Sequence, residues 1–507
     1  MAHCAESALA CTLCDNDWWH LAMAPDAGRR DRRREGGSLE AAVGLGVGGG
    51  PLMPVPADRR WANQDRASPS AGGRLAGALS RLAPQGGLLR SSAILFFGGS
   101  LARAVGFLFS VAAARLLQPG DYGLLAYGLA IVGFASILIT SAPSGLAAFL
   151  ARYQGNPRQQ EIHFSNWIAV ISVLIAVSAI LMLPIAAIAR LSGAMLLGII
   201  ANLLGIAVLQ TYREAQRGLE RFAAMVIFYL LANVIQLVAV IVLALLGQRS
   251  AALFLTVYGL SSLAALAVVQ PLAPLALRFV RDTVELQHMI AVARFIQPLV
   301  LQTVFFAVWI GADLILVQRL MSSDAAGNYA AAKALGNAVY LAPSAVSGVV
   351  ITRVSRMPEI SIGAFLLRVM ALGTAVTLPL LIVFLVLGRQ LTALIFGNRY
   401  PHVSDPLALI AVGMAIYGLY LLLSGAWRGM GRLAIDAWAT GAGTVMTVGL
   451  GLVLVPRIGL IGAAGAFSAG SVTQLLTIGA YTLWALSNRP TSRLDEVMAT
   501  RERRTDG

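Results

Sequence analysis

From residue 93 onward the chain alternates long apolar stretches with short polar ones, and each apolar stretch runs for about 20 residues. At a rise of ~1.5 Å per residue, a helix of that length crosses a hydrocarbon core. Twelve such stretches, at 93–116, 124–145, 166–189, 193–212, 222–246, 251–272, 296–318, 328–350, 363–387, 405–426, 434–455 and 460–486, predict twelve transmembrane helices. The polar intervals are too short to hold a soluble domain. Residues 1–90 have no comparable apolar period and are dominated by Ala, Gly, Pro, Ser and eleven arginines, which predicts a disordered basic extension. It has no uninterrupted apolar segment leading to a small-residue cleavage site, so it does not read as a secretory signal. Residues 488–507 read as a basic tail.

Composition agrees with this picture: 58% of residues are hydrophobic and only 12% charged. The formal charge of +14 comes largely from arginines clustered between apolar runs, a distribution that follows membrane topology and not a nucleic-acid face. With the N-terminus inside, the inner loops carry twelve arginines (152, 158, 213, 217, 221, 278, 281, 294, 353, 356, 428 and 432) and the outer loops seven (115, 190, 249, 319, 389, 399 and 457). Both termini are therefore expected on the cytoplasmic side of the cell inner (plasma) membrane. The cysteines, Cys4, Cys11 and Cys14, stand beside His3 and His20, but a single CxxC without a second pair at finger spacing predicts no metal site. No cofactor is expected.

An internal repeat sets the architecture. "RGLERFA" at 217–223 returns as "RGMGRLA" at 428–434, with four of seven positions identical. "APS" at 142–144 returns at 342–344, and "RLLQPGDYG" at 115–123 is echoed by "RLMSSDAAG" at 319–327. Markers in the same order at nearly constant spacing imply two six-helix halves, 91–280 and 281–487. Six is even, so both halves enter the bilayer from the same side; the repeats are parallel, related by an axis along the membrane normal, and enclose a central cleft suited to alternating access. The fold class expected is an all-α polytopic membrane protein of about twelve transmembrane helices in two such repeats. On the bland reading, the arginines of "RGLERFA" hold an inner loop in the cytoplasm while Gly218 ends the fourth helix.

At "ARLLQPGDYGLLAYG" (114–128), "RGLERF" (217–222) and "GAAGAFSAG" (462–470) the chain resembles the polysaccharide-transporter branch, the O-antigen flippase (Wzx) type, of the multidrug/oligosaccharidyl-lipid/polysaccharide exporter superfamily. "GADLILVQRL" at 311–320 and "GNYAAA" at 327–332 support it. The resemblance covers residues 93–486 and implies movement of polyprenyl-diphosphate-linked oligosaccharide from inner to outer leaflet, for lipopolysaccharide O-antigen, capsule or exopolysaccharide. It implies as partners that lipid-linked glycan and membrane lipids, with a glycan polymerase and glycosyltransferases nearby, no nucleic acid, and a monomeric, non-enzymatic protein.

Such a cargo needs fixed positive charge in a hydrated cavity, because desolvating the anion is otherwise prohibitive. Arg103 is the leading candidate: it sits near the middle of the first span, where an arginine costs about 2.5–3.5 kcal/mol on insertion scales. Gly99, Ala102 and Gly106 share or flank its face, so a partner helix can approach there. Asp313 lies six residues before Arg319 and Lys333 six after Gly327, which places both at similar depth on adjacent antiparallel helices. Two readings stand: an ion pair locking the seventh and eighth spans, or a Lys333 that exchanges Asp313 for substrate diphosphate. Arg152 and Arg353 are repeat-related and would flank an inward-open mouth; as helix-end arginines they also read as topology anchors, as do Arg294 and Arg368. Tyr122, Tyr127, Tyr329, Tyr340, Trp309 and Trp427 offer stacking faces for sugar but read first as an interfacial belt. Pro143 and Pro343 mark flexing points in the second and eighth spans.

A cation antiporter of the same superfamily would carry intramembrane carboxylates, and Asp313 is the clear acidic exception here. A membrane glycan polymerase or ligase would need a large outer loop with catalytic groups. The outer loops are short, and His163, His288 and His402 read as isolated loop residues.

Overall fold

A computed structural model describes residues 88–275, 277–354 and 362–487, all within one compact unit, Ala78–Gly507. Residues 1–87 of the expected extension with its cysteines and histidines, Arg356 and the basic tail lie outside the described residues, while residues 88–90 of that extension already belong to the first helix. Those that are described form helices joined by short turns: α1 (Leu88–Leu116), α2 (Pro119–Ala135), α3 (Ile137–Ser141), α4 (Leu146–Arg152), α5 (Pro157–Ala189), α6 (Gly193–Gly218), α7 (Phe222–Leu245), α8 (Ala251–Val269), α9 (Leu286–Leu320), α10 (Ser323–Gly336), α11 (Ala338–Val354), α12 (Ile362–Phe396), α13 (Ser404–Gly429) and α14 (Leu433–Ser487). The sequence supplies the start signals. Asn156 accepts a hydrogen bond from Gln159 N, Ser192 from Met195 N and Ser322 from Ala325 N, while Pro119 and Pro157 occupy the first turns of α2 and α5.

Nine of the described helices are long and apolar enough to cross a membrane. The difference from twelve has a physical cause at three places. α14 is two spans run together, with non-helical backbone at Ile458 and Gly459 (φ 61°) just after Pro456. The second span is divided among α2, α3, a 3-10 turn at Ala142–Gly145 and α4; the eighth is divided between α10 and α11. The second span does tighten at Pro143, but in both copies the first interruption falls earlier, at Ser136 and at Asn337. Apolar composition alone does not reveal such breaks. Thr140 and Ser141 side chains donate to Ser136 O (3.0 Å) and Ile137 O (2.8 Å), so polar backbone stays satisfied there despite the surrounding apolar chain.

The duplication is visible in the packing. In each half the fourth span's last glycine meets the second span: a Cβ at Gly218 would lie 2.8 Å from Ala147 O, and one at Gly429 would lie 2.7 Å from Ile351 O. Both helices then close with the same turn, Arg221 N donating to Gln216 O (2.8 Å) and Arg432 N to Trp427 O (2.9 Å). The left-handed residue in that turn is Glu220 (φ 57°) in one copy and Gly431 (φ 77°) in the other. Gly218 is thus the last helical residue, as expected, yet it is required for close packing and the turn itself is made by its neighbours. In the first half α1 packs on α7 and α6 on α8; in the second, α9 packs on the first span of α14 and α13 on its second.

The halves meet where α2 crosses α10. Gly123 packs on Ser323 and Gly327 on Pro119, a reciprocal contact between equivalent positions, as an isologous contact about a two-fold axis would be. A Cβ at either glycine would run into the backbone opposite. Gly327→Ala is therefore expected to destabilise the protein by about 1–3 kcal/mol. Thermal melting in detergent checks this, with Gly465→Ala, where nothing lies within 4 Å of the added carbon, as the control.

Two expectations need correction here. His163 and His288 stand on α5 and α9, not in loops, because those helices extend well beyond their apolar cores; their rings lie 6.5 Å apart, and His163 stacks on Tyr153 at 4.7 Å. Trp309, Tyr329, Tyr122, Tyr127 and Trp427 are buried inside the bundle and do not form an interfacial belt. Trp309 is sandwiched with Tyr417 (4.3 Å) and Phe467 (4.9 Å), filling the interior of the second half.

Candidate functional site

Arg103 lies on α1 with its guanidinium exposed and directed toward the second half, Nη1 donating to Ser344 Oγ of α11 at 3.5 Å. That distance is at the limit of a hydrogen bond, so the contact orients the side chain without occupying it. Among the described residues no carboxylate lies within salt-bridge distance. Its electrostatic neighbours are Tyr340 of α11 and a second arginine, Arg213 of α6.

The apolar run ends at Tyr212, which places Arg213 in an inner loop. In the structure α6 continues to Gly218, so Arg213 belongs to the wall of the bundle. Its guanidinium lies 4.8 Å over the Tyr229 ring, Nη1 reaches Gln210 Oε1 at 3.4 Å, and Nε is buried without a hydrogen-bond partner. The adjacent carboxylate, Glu214, is taken by Arg217 at 2.9 Å. The signal that marks it is helical continuation: "TYREAQRG" (211–218) carries no breaker before Gly218.

Lys333 and Asp313 are brought together and buried. Lys333 Nζ donates to Asp313 Oδ1 (2.7 Å), Asp313 Oδ2 (2.6 Å) and Ile310 O (2.6 Å), which accounts for all three ammonium protons. Asp313 also accepts from Tyr329 OH (2.7 Å), and Lys333 lies 4.7 Å over Phe467. The lysine is turned into the protein and does not snorkel to the surface. Arg152 and Arg353 end α4 and α11 with exposed side chains, Arg353 resting 5.8 Å over Phe365.

A second buried carboxylate went unnoticed in the sequence. Asp436, near the start of α14, accepts from Arg428 Nε (2.9 Å), Ser424 Oγ (2.6 Å) and Tyr420 OH. It looks like an ordinary helix-start acid because its partners are contributed by the preceding helix α13. Asp313 is therefore not the one acid inside the bundle, but both acids are matched, by Lys333 and Arg428, whereas Arg103 and Arg213 have no carboxylate partner among the described residues. The two charges left without a carboxylate are positive: Arg103 reaches the second half, and Arg213 lies on Tyr229 within the first.

At the opposite end arginines read as outer topology anchors tie the halves together. Arg115 donates to Ile395 O and Leu394 O, Arg399 Nη1 to Arg115 O (2.9 Å), Tyr400 OH to Ala114 O (2.7 Å), and Arg319 Nε to Tyr127 OH (3.0 Å). Arg115, Arg399 and Tyr400 donate to helix-end carbonyls, groups a helix leaves unpaired, and so latch the two halves together here. Inside the first half, α2, α6, α7 and α8 line a cavity of about 290 Å³ whose wall mixes apolar side chains with Asn202, Asn233, Gln236 and Tyr229. Among the described residues no three His, Cys, Asp or Glu side chains are grouped to hold a metal.

The profile of polysaccharide biosynthesis proteins matches residues 112–405, more than half of the chain. This chain belongs to that family. No sequence among the curated proteins matches it. Its fold is similar to that of the lipid II flippase MurJ in an inward-closed conformation (TM-score 0.63, 16% identity, covering 79% of this chain and 88% of that one). It is also similar to a multidrug resistance MATE family transporter of the MOP superfamily, inward-facing (TM-score 0.63, 13% identity, 82% of this chain and 99% of that one) and outward-facing (TM-score 0.58, 13% identity, 85% and 100%). The chain is thus a multi-pass membrane protein of the polysaccharide biosynthesis family with the fold shared by MurJ and the MATE transporters.

Proposed function

We propose that this protein carries polyprenyl-diphosphate-linked oligosaccharide across the inner membrane for surface polysaccharide assembly, by alternating access between halves 91–280 and 281–487. The observation that carries this reading is the pair of arginines Arg103, which reaches Ser344 of the second half, and Arg213, stacked on Tyr229 within the first half: neither has a carboxylate at salt-bridge distance among the described residues, while both buried acids are matched. A polyvalent anion is the ligand such a pair stabilises; an organic cation is repelled by it. Membership of the polysaccharide biosynthesis family and likeness to a lipid II flippase support a lipid-linked glycan as the source of that anion. In the cycle, Arg103 and Arg213 hold the diphosphate, with Arg152 and Arg353 flanking the entrance. Parting of the Arg115 latch then opens the other end toward the outer leaflet.

Deletion of the gene, followed by analysis of surface glycan and lipid-linked intermediates, tests the reading. The expected result is loss or shortening of a surface polysaccharide with its lipid-linked precursor accumulating in the inner leaflet. Unchanged glycan together with lost efflux of ethidium-type cations would replace it with the multidrug antiporter of the same fold.

A further inference from the structure

A second cavity, of about 410 Å³, lies where α5 ends, α6 begins and α9 ends. Arg190 and Arg319 are the charged residues in its wall, beside Tyr127, Ser192 and Gln318, and no acid lines it. Local chain geometry builds it. At the end of α5 the backbone reverses through a left-handed Arg190 (φ 52°), with Leu191 N donating to Ala186 O (2.9 Å), and Ser192 then starts α6 by capping Met195 N. From the other half, α9 runs on to Leu320 and brings Arg319 into the same wall. The cavity therefore spans the halves, with one arginine from each.

Both arginines are exposed, so a ligand can reach them, and both keep donors to spare. Arg319 uses Nε on Tyr127 OH (3.0 Å) and one Nη2 proton on Ile188 O (3.4 Å), which leaves Nη1 and the other Nη2 proton unused. The Arg190 side chain makes no hydrogen bond or ion pair among the described residues. Two guanidiniums sharing one cavity repel each other unless an anion lies between them. A phosphate fits, because its oxygens accept from the planar forks of both.

Depth and surroundings favour a lipid as the source of that phosphate. Helices α5 and α9 both stop here after spans long enough to cross a bilayer, which puts the cavity at headgroup level. Leu181, Ile185 and Ile188 form one exposed apolar face of α5 that ends beside Ala189 of the cavity wall, and Leu320 is exposed next to Arg319. Acyl chains can lie along that face. The volume falls within the ~300–1,000 Å³ usual for small-molecule sites, and with no acid in the wall an ammonium headgroup finds no partner. We propose that this cavity binds the headgroup of an anionic phospholipid from the adjoining leaflet, its phosphate held jointly by Arg190 of the first half and Arg319 of the second. The bound lipid ties the halves together at the end that carries the Arg115 latch. This goes beyond the transport reading and does not depend on it.

Arg190→Asn supplies the first test, because asparagine tolerates the left-handed backbone and the replaced side chain has no partner to lose. Arg319→Gln removes the charge contributed by the other half. Arg249→Gln, at the same end of the bundle but outside the cavity wall, is the control. The purified full chain in neutral detergent is titrated with phosphatidylglycerol or phosphatidylcholine, with and without inorganic phosphate, and bound lipid is counted by native mass spectrometry. Wild type and Arg249→Gln are expected to bind one phosphatidylglycerol about tenfold more tightly than phosphatidylcholine. Both cavity variants should narrow that preference to within about threefold. A preference lacking in wild type, or undiminished in Arg190→Asn, overturns the site. One that falls in Arg190→Asn but not in a folded Arg319→Gln protein overturns the bridge between the halves. An equal fall in Arg249→Gln overturns the proposal in favour of diffuse attraction to surface charge, and displacement of phosphatidylglycerol by millimolar inorganic phosphate overturns it in favour of a free anion.

Discussion

Replacing Arg103 by alanine is expected to leave the protein folded and inserted while lowering transport of lipid-linked oligosaccharide by roughly tenfold to a hundredfold. That range is the rate equivalent of a charge-assisted hydrogen bond of about 1.5–3 kcal/mol. The expectation of a folded variant follows from the geometry, because the only hydrogen bond of Arg103 among the described residues is the 3.5 Å contact to Ser344. A residue that contributes so little to its own fold, yet bears the insertion cost of a central arginine, has its favourable partner in another molecule. Arg103→Lys should fall between wild type and alanine, since an ammonium keeps the charge but loses the planar fork that matches a phosphate. Arg213→Ala should lower transport in the same direction; with its stacking on Tyr229 removed, some stability is lost as well. Initial transport rates in proteoliposomes, beside melting temperatures of the same preparations, check both. Normal transport by a folded Arg103→Ala protein would remove the anion site from the mechanism.

Much of the architecture was legible because bilayers punish unsatisfied backbone: an apolar run of the right length can only be a helix, and a repeated turn such as "RGLERFA" reports a repeated packing need. The breaks at Ser136 and Asn337 were hidden for the same reason. Hydropathy records what surrounds a helix and is blind to whether its axis is continuous. Charge misled in a consistent direction. A reading that ends each span at its first arginine puts Arg213 in a loop, yet its long stem and the Tyr229 face let the helix carry it inward. Asp436 was missed because its meaning depends on Tyr420, Ser424 and Arg428, all on the neighbouring helix α13, with no trace in local spacing. The polar groups in the wall of the first-half cavity likewise come singly from several helices, each unremarkable alone.

The register that sets Asp313 against Lys333 was legible, whereas the way the pair is used shows only in the surrounding hydrogen bonds. Asp313→Ala is expected to destabilise the protein by about 3–5 kcal/mol, because it leaves an ammonium buried with only Ile310 O to accept from it. Lys333→Ala should cost a comparable amount, stranding a carboxylate that retains Tyr329 OH and Leu314 N as donors. The double replacement Asp313→Leu with Lys333→Met should restore stability to within about 1 kcal/mol of wild type and preserve transport, since it exchanges a matched pair for apolar groups of similar volume. Melting temperatures and transport rates of wild type, the two alanine variants and the Asp313→Leu/Lys333→Met protein check these expectations. The alternative, in which Lys333 trades Asp313 for substrate diphosphate, requires three short hydrogen bonds to break at once and leaves buried Asp313 without its cation, held only by Tyr329 OH and Leu314 N. A stable double variant that has lost transport would establish that exchange. A stable double variant that still transports would leave the pair as the bolt between α9 and α10, so that these two helices move as one body when the halves rock.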